Sequence, residues 1–201
     1  MTEWIYEVLR QSGYAGVTFL MALENIFPPI PSEVIMGLGG MAVARGHMSL
    51  VPLLAFGTLG ATLGNYVLFL GADRLGYERC EPLVDRWGRW LTIEWNDVER
   101  SGEFLRSHGH WVVLFLRFMP MFRTIISIPA GLAHMGHIRF LVFTAIGSGI
   151  WNLLLVLAGR WFATRFQDAE YWLGVGTMVL IGLALVYYIY RVVTWPSSKE
   201  N

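Results

Sequence analysis

Polar and apolar positions are unevenly spread along this chain. Residues 51–72, 140–158 and 173–190 are uncharged and mostly apolar. A helix rises ~1.5 Å per residue, so about 20 residues cross a hydrocarbon layer ~30 Å thick. These stretches predict transmembrane helices at 51–73, 140–162 and 171–193. Two further apolar segments are shorter and interrupted. The first, 14–27, contains Glu24 and Asn25 and runs into Pro28, Pro29 and Pro31 before a second piece at 34–44. As helices these pieces would be only ~21 Å and ~16 Å long. The other, 111–122, is broken at Pro120 and continues through Pro129 and Gly131 to residue 135. Proline lacks an N–H and keeps the preceding residue out of the helical region. Half-length pieces around such breaks predict re-entrant hairpins at 14–44 and 111–135, with a single kinked span as the competing reading of each. Irregular backbone at that depth requires cover by protein or a wet cavity.

The remaining segments are polar or mixed. Residues 1–13 place Trp4, Ile5, Val8 and Leu9 among charges at helical spacing, which predicts an interfacial amphipathic helix. Residues 74–110 form a polar central region of short surface helices, and 194–201 a polar tail.

The pattern repeats. GHMSLVPLLAFGTLGATLGN at 46–65 parallels GHIRFLVFTAIGSGIWN at 136–152, with Gly46-His47 against Gly136-His137, Gly60 against Gly147 and Asn65 against Asn152. Each half reads as a broken hairpin, a Gly-His connector and a full span. Repeat 1 occupies 14–73 and repeat 2 occupies 111–162. One hairpin plus one span crosses the membrane an odd number of times, so the second copy is inverted relative to the first. Many secondary transporters use this arrangement, with the site at the repeat interface. The expected fold is an all-α integral membrane protein: an inverted repeat of re-entrant hairpin plus transmembrane helix, followed by a C-terminal transmembrane helix. In that topology Arg74, Arg79, Arg86, Arg89, Arg100, Arg106, Arg139, Arg191 and Lys199 share one side, against Arg10, Arg45, Arg160 and Arg165 on the other. The excess places the central region and C-terminus in the cytoplasm.

Composition narrows the classes. The chain is 55% hydrophobic and 15% charged with zero net charge, which gives no basic surface for nucleic acid. Cys80 stands alone, so a disulfide framework and a cysteine metal site are excluded. The first ten residues lack the basic start and apolar core of a signal peptide, so insertion is expected to rely on internal segments.

Candidate chemistry lies in the broken segments, which hold Glu24 and Glu33 in the first half and Arg117 and Arg123 in the second. Charges at membrane depth are costly and usually face an interior or a cavity. Arg117 and Arg123 are six apart and would diverge by ~120° on a straight helix. Pro120, midway between them, lets both turn toward one object. The same reasoning applies to Glu24 and Glu33 across PPIP. Arginine suits phosphate because its planar fork binds two oxygens and keeps its charge when buried. A desolvated glutamate beside other acids takes up a proton near neutral pH, and arginine nearby opposes this. Together the four form a centre able to exchange a proton against an anionic headgroup. The plainer reading is two buried Glu–Arg pairs that fix the hairpins.

Other signals are weaker. His134 and His137 lie three apart with no cysteine or carboxylate cluster in sequence, which favours an interfacial role over a metal site. The GLGG at 37–40 lacks the lysine and spacing of a nucleotide loop and reads as close backbone packing. Ser148 lacks the flanks of a hydrolase elbow. No HExxH and no lipid-phosphatase set can be assembled, so neither an enzyme, a metal nor a cofactor is expected. Trp4, Tyr6, Trp111, Trp161, Tyr171, Trp172, Tyr190 and Trp195 read as interfacial anchors.

ENIFPPIPSE at 24–33, GLGG at 37–40, GxxGxxxGNY at 57–66, FLRFMPMFR at 115–123 and IPAGLAHM at 128–135 resemble the DedA family, the bacterial branch of the SNARE-associated Golgi or VTT-domain proteins. The resemblance covers roughly residues 12–165. It implies a bacterial inner-membrane protein with two facing re-entrant hairpins. Family members are linked to transport of undecaprenyl phosphate, to proton-dependent tolerance of alkaline pH and to resistance to cationic antimicrobials, and eukaryotic relatives scramble phospholipids. The family's essential acids and arginines fall on Glu24, Glu33, Arg117 and Arg123. Some subfamilies carry Asp after Pro-Gly at the second acidic position, where this chain has Pro31-Ser32-Glu33. The expected function is translocation of undecaprenyl phosphate or a related lipid phosphate. Arg117 and Arg123 would bind the headgroup, Glu24 and Glu33 would gate or couple to protons, and Pro28, Pro29, Pro31, Pro120 and Pro129 would make the hairpin breaks. The partners are then a membrane lipid (polyprenyl phosphate or phospholipid) and protons, and a homodimer is compatible with the reading. The alternatives are proton-coupled transport of a small ion or solute, and a non-transport membrane scaffold.

Overall fold

The computed structural model describes residues 2–25, 32–91, 95–109, 111–118, 123 and 126–165, with positions 182, 186 and 190. The expected C-terminal span at 171–193, save those three positions, and the tail lie outside the described residues, as do Pro28, Pro29, Pro31 and Pro120. The described residues are helical, with no strand among them. In chain order the helices are α1 (Thr2–Glu24), α2 (Ser32–Ala44), α3 (Leu50–Leu91), α4 (Trp95–His108), α5 (Trp111–Leu116), α6 (Ser127–Leu132) and α7 (His137–Arg165). α3 as far as Pro82, and α7, are long and apolar enough to cross a membrane. The first continues beyond residue 73, where the polar region was expected to begin, because Arg74 and its neighbours keep helical backbone until Gly76. At Gly76, with φ 66°, α3 kinks and the helix resumes. α1 kinks likewise at Gly13.

The chain divides into two compact units: Met1–Asn65 with Thr144–Leu180, and Tyr66–Phe143 with Ile181–Asn201. The first is built from α1, α2, the start of α3 and most of α7. Its core joins Val17, Leu20 and Met21 of α1, Val34, Ile35 and Met36 of α2, Leu53 and Ala61 of α3, and Val156 of α7. The backbones approach closely. A Cβ at Gly60 would collide with the Thr18 carbonyl, and one at Gly64 with the Ala22 carbonyl. α2 and α7 meet reciprocally: Gly40 faces the Val156 carbonyl, and Gly159 faces the Gly37 carbonyl. Small residues permit such contact, which drives helix association in lipid where apolar surface alone does not. Polar links add to it. The Thr18 hydroxyl donates to the Phe56 carbonyl at 3.1 Å, and the Ser49 N–H donates to the Tyr14 hydroxyl at 2.8 Å. That N–H lies just before the start of α3, where helix donors lack intrahelical partners.

In the second unit, Phe69, Leu105, Val112, Val113, Ile126, Ala130 and Phe140 form one cluster, and Ala72, Cys80, Val98 and Leu132 another. Gly131 lets α6 touch the Phe69 carbonyl of α3. α2 and α6 end alike. Gly46, at φ 76°, donates to Val43 while His47 reaches back to Ala42. His134, at φ 50°, donates to Gly131 while Met135 reaches back to Ala130. Both are left-handed caps that satisfy the last carbonyls. Glycine fits the first without strain, whereas histidine carries a steric cost at the second.

Along α7 the exposed residues from 142 to 158 are all apolar: Val142, Ile146, Ile150, Leu153, Leu154, Leu157 and Ala158. This face suits lipid. The glycine contacts make a testable distinction. Gly60→Ala is expected to cost about 1–3 kcal/mol, because backbone opposes the added methyl. Gly71→Ala has open space and is expected to be neutral or up to about 1 kcal/mol stabilising, as alanine favours the helix. Thermal unfolding of the two purified variants in detergent checks the difference.

Candidate functional site

In the first unit α1 ends in a polar group. Glu24 and Asn25 are buried beside Asn65 of α3, which is itself 2% exposed. The Asn25 Nδ2 donates to the Met21 carbonyl at 2.9 Å. The Asn65 Nδ2 donates to Asn25 Oδ1 at 2.7 Å and to the Ala61 carbonyl at 2.8 Å. Each amide is thus tied to its own helix and to the other. This fixes the end of α1, and with it Glu24, against α3. Across residues 26–31, α2 opens with fully buried Ser32 and half-buried Glu33. Glu33 lies in the first turn of α2, where the helix dipole favours an anion. The Asn152 Nδ2 of α7 makes a longer contact, 3.4 Å, to the Thr58 hydroxyl of α3.

In the second unit Arg117 follows α5 directly and is 2% exposed. Its Nη2 donates to the Ser127 hydroxyl at 3.3 Å, at the start of α6. Its guanidinium carbon lies 5.7 Å from the centroid of the Phe140 ring, over its face. Arg123 is half-buried and close enough for its charge to repel that of Arg117. Both arginines belong to the second unit, and both glutamates to the first. Pro129 sits in the first turn of α6, where a missing N–H removes no intrahelical bond.

His134 and His137 do not share one helix, because the left-handed cap at His134 separates them. Both meet Asp73 of α3. His134 Nδ1 lies 2.9 Å from Asp73 Oδ1, and His137 Nε2 lies 3.8 Å from Oδ2. His137 Nδ1 is also 3.2 Å from the Tyr66 hydroxyl. Among the described residues no group of three or more His, Cys, Asp or Glu is placed to hold a metal. Sequence reasoning missed Asp73, Ser127 and Phe140. Asp73 lies 61 residues from His134 and has no local signal. The Asn25–Asn65 bond was half visible, since Asn65 is a mark of the repeat.

Two helices are long and apolar enough to cross a bilayer, the class of protein expected from the sequence. The VTT domain family matches residues 30–161, well over half of the chain, which therefore belongs to the VTT-domain, or DedA, family. The Undecaprenyl phosphate transporter A of Staphylococcus aureus (strain NCTC 8325 / PS 47) is 31% identical over 201 residues, spanning 100% of this chain and 99% of that protein. The Undecaprenyl phosphate transporter A of Bacillus subtilis (strain 168) is 30% identical over 178 residues, 89% of this chain and 86% of that one. A protein of Lactococcus lactis subsp. lactis (strain IL1403) named Alkaline phosphatase-like protein is 40% identical over 160 residues, 79% of this chain and 75% of that one. No solved structure matches the chain.

The asparagine pair generates a direct test. Asn25→Leu and Asn65→Leu are each expected to cost about 1–3 kcal/mol, since each strips a buried hydrogen bond. The double variant should cost clearly less than their sum, because the shared bond is lost only once. A double-mutant cycle on thermal unfolding reads the coupling.

Proposed function

We propose that this chain translocates undecaprenyl phosphate, or a related lipid phosphate, across the bacterial cytoplasmic membrane. The carrying observation is Arg117, a guanidinium buried to 2% exposure in the second unit, with a second arginine, Arg123, in the same unit. Phosphate matches the guanidinium fork better than a point charge does. The full-length similarity to a protein named undecaprenyl phosphate transporter supports the choice of lipid.

In this reading 14–44 and 111–135 are re-entrant hairpins of an inverted repeat. The polyprenyl tail stays in the bilayer while the headgroup alone passes the polar centre. Arg117 and Arg123 hold the phosphate. Glu24 and Glu33 gate its passage and exchange protons with it. The central region and C-terminus face the cytoplasm. The chain acts as a transporter and not as an enzyme, since the phosphate enters and leaves unaltered.

Reconstituted proteoliposomes carrying labelled undecaprenyl phosphate test this. Arg117→Ala and Arg123→Ala should each lower headgroup transfer about 10- to 100-fold, the worth of a charged hydrogen bond, with insertion unchanged. Glu24→Gln and Glu33→Gln should flatten the response to an imposed pH gradient. Undiminished transfer in both arginine variants would overturn the assignment. Proton-linked ion flux without lipid transfer would favour the small-solute alternative.

A further inference from the structure

We infer that Phe140 is a positioning residue for Arg117, setting the guanidinium for an anionic headgroup through the face of its ring. The inference rests on the lipid-phosphate reading above and adds to it the means by which the arginine is held.

Three observations carry it. Phe140 is fully buried, and the Arg117 guanidinium carbon lies 5.7 Å above its ring centroid, inside the ~6 Å range of a cation–π contact. The ring is itself fixed. Phe69 lies against it at 4.2 Å between centroids and 20° between planes. Phe69 is in turn stacked with Tyr66 and met edge-on by His137. The Ser127 hydroxyl, also fully buried, takes the Nη2 donor at 3.3 Å. The ring and the hydroxyl come from α7 and α6, so the arginine is placed by elements other than its own.

The chemistry suits an anion receptor. A carboxylate in the place of the ring would neutralise the guanidinium and compete with phosphate for it. A ring face stabilises the cation through its quadrupole and brings no negative charge. Such a contact gains strength when desolvated. A leucine of similar bulk would fill the space without that quadrupole.

The test replaces Phe140 with mono-, di- and trifluorinated phenylalanine, which withdraw charge from the ring face at nearly constant shape. Binding of undecaprenyl phosphate to the purified full chain in detergent is the readout, alongside thermal unfolding. Affinity should fall stepwise with each fluorine, reaching about 10-fold for the trifluorinated ring, while the melting temperature changes little. The same series in an Arg117→Gln background, which leaves no cation over the ring, should be nearly flat. Phe140→Leu should lose at least as much affinity, and if that variant fails to insert, Phe140→Met removes the ring at smaller change in shape. A flat fluorine series with binding abolished by Arg117→Ala would overturn the positioning role alone. Unchanged binding in Arg117→Ala would overturn the lipid-phosphate reading instead.

Discussion

No side chain can stand between α1 and α3 at Gly60, or between α2 and α7 at Gly40 and Gly159. The first unit depends on this backbone-to-backbone approach. In lipid a leucine gains nothing by leaving acyl chains for another helix, so the attraction comes from packing and from polar groups. Close approach supplies both. It brings carbonyl oxygens near Cα hydrogens and puts Thr18 within reach of the Phe56 carbonyl. It also brings the asparagines at the end of α1 and on α3 into bonding range. The position of Glu24 is a downstream result of glycines on a neighbouring helix.

The buried polar groups divide into two kinds. Asn25, Asn65, Thr58 and Asn152 bond to one another or to backbone, and so serve the packing. The arginines are different in kind. Arg117 is a guanidinium buried to 2% exposure, which contacts the Ser127 hydroxyl and the face of the Phe140 ring. A guanidinium keeps its charge when buried and presents a fork that suits phosphate, which an amide does not. That contrast is why the phosphate proposal centres on the second unit's arginines and gives the asparagines a structural part.

Much of the helical layout was legible in the sequence, because residues 140–158 carry no charge to interrupt the pattern and α7 covers the span at 140–162 whole. The glycines at 57, 60 and 64 announced close packing by spacing alone, and their partners could be named only from the structure. The helix that carries the first span runs on past residue 73, because charge does not stop a helix, and it kinks at Gly76. Pro129 lies where proline is tolerated, in the first turn of α6. For the site, the four charged positions were visible as charges in apolar surroundings. Ser127 and Phe140 were not, because a serine and a phenylalanine in apolar segments look like any others. Asp73 with His134 and His137 depends on a left-handed histidine that no pattern of types predicts.

The apolar outer face of α7 has a further consequence. Between residues 142 and 158 its exposed side chains offer no hydrogen bond, so nothing along that length ties the helix to one depth in the hydrocarbon. Depth is set at the ends. Arg139 and Arg160, with exposed Trp161 beside the latter, are separated by ~32 Å along the axis at ~1.5 Å per residue. That length matches a hydrocarbon core of ~30 Å. In a thinner bilayer the apolar length between them stays covered only if the helix tilts. α7 also carries Val156 and Gly159, against which α2 packs. Bilayer thickness is thereby a mechanical input to the unit that holds Glu24 and Glu33.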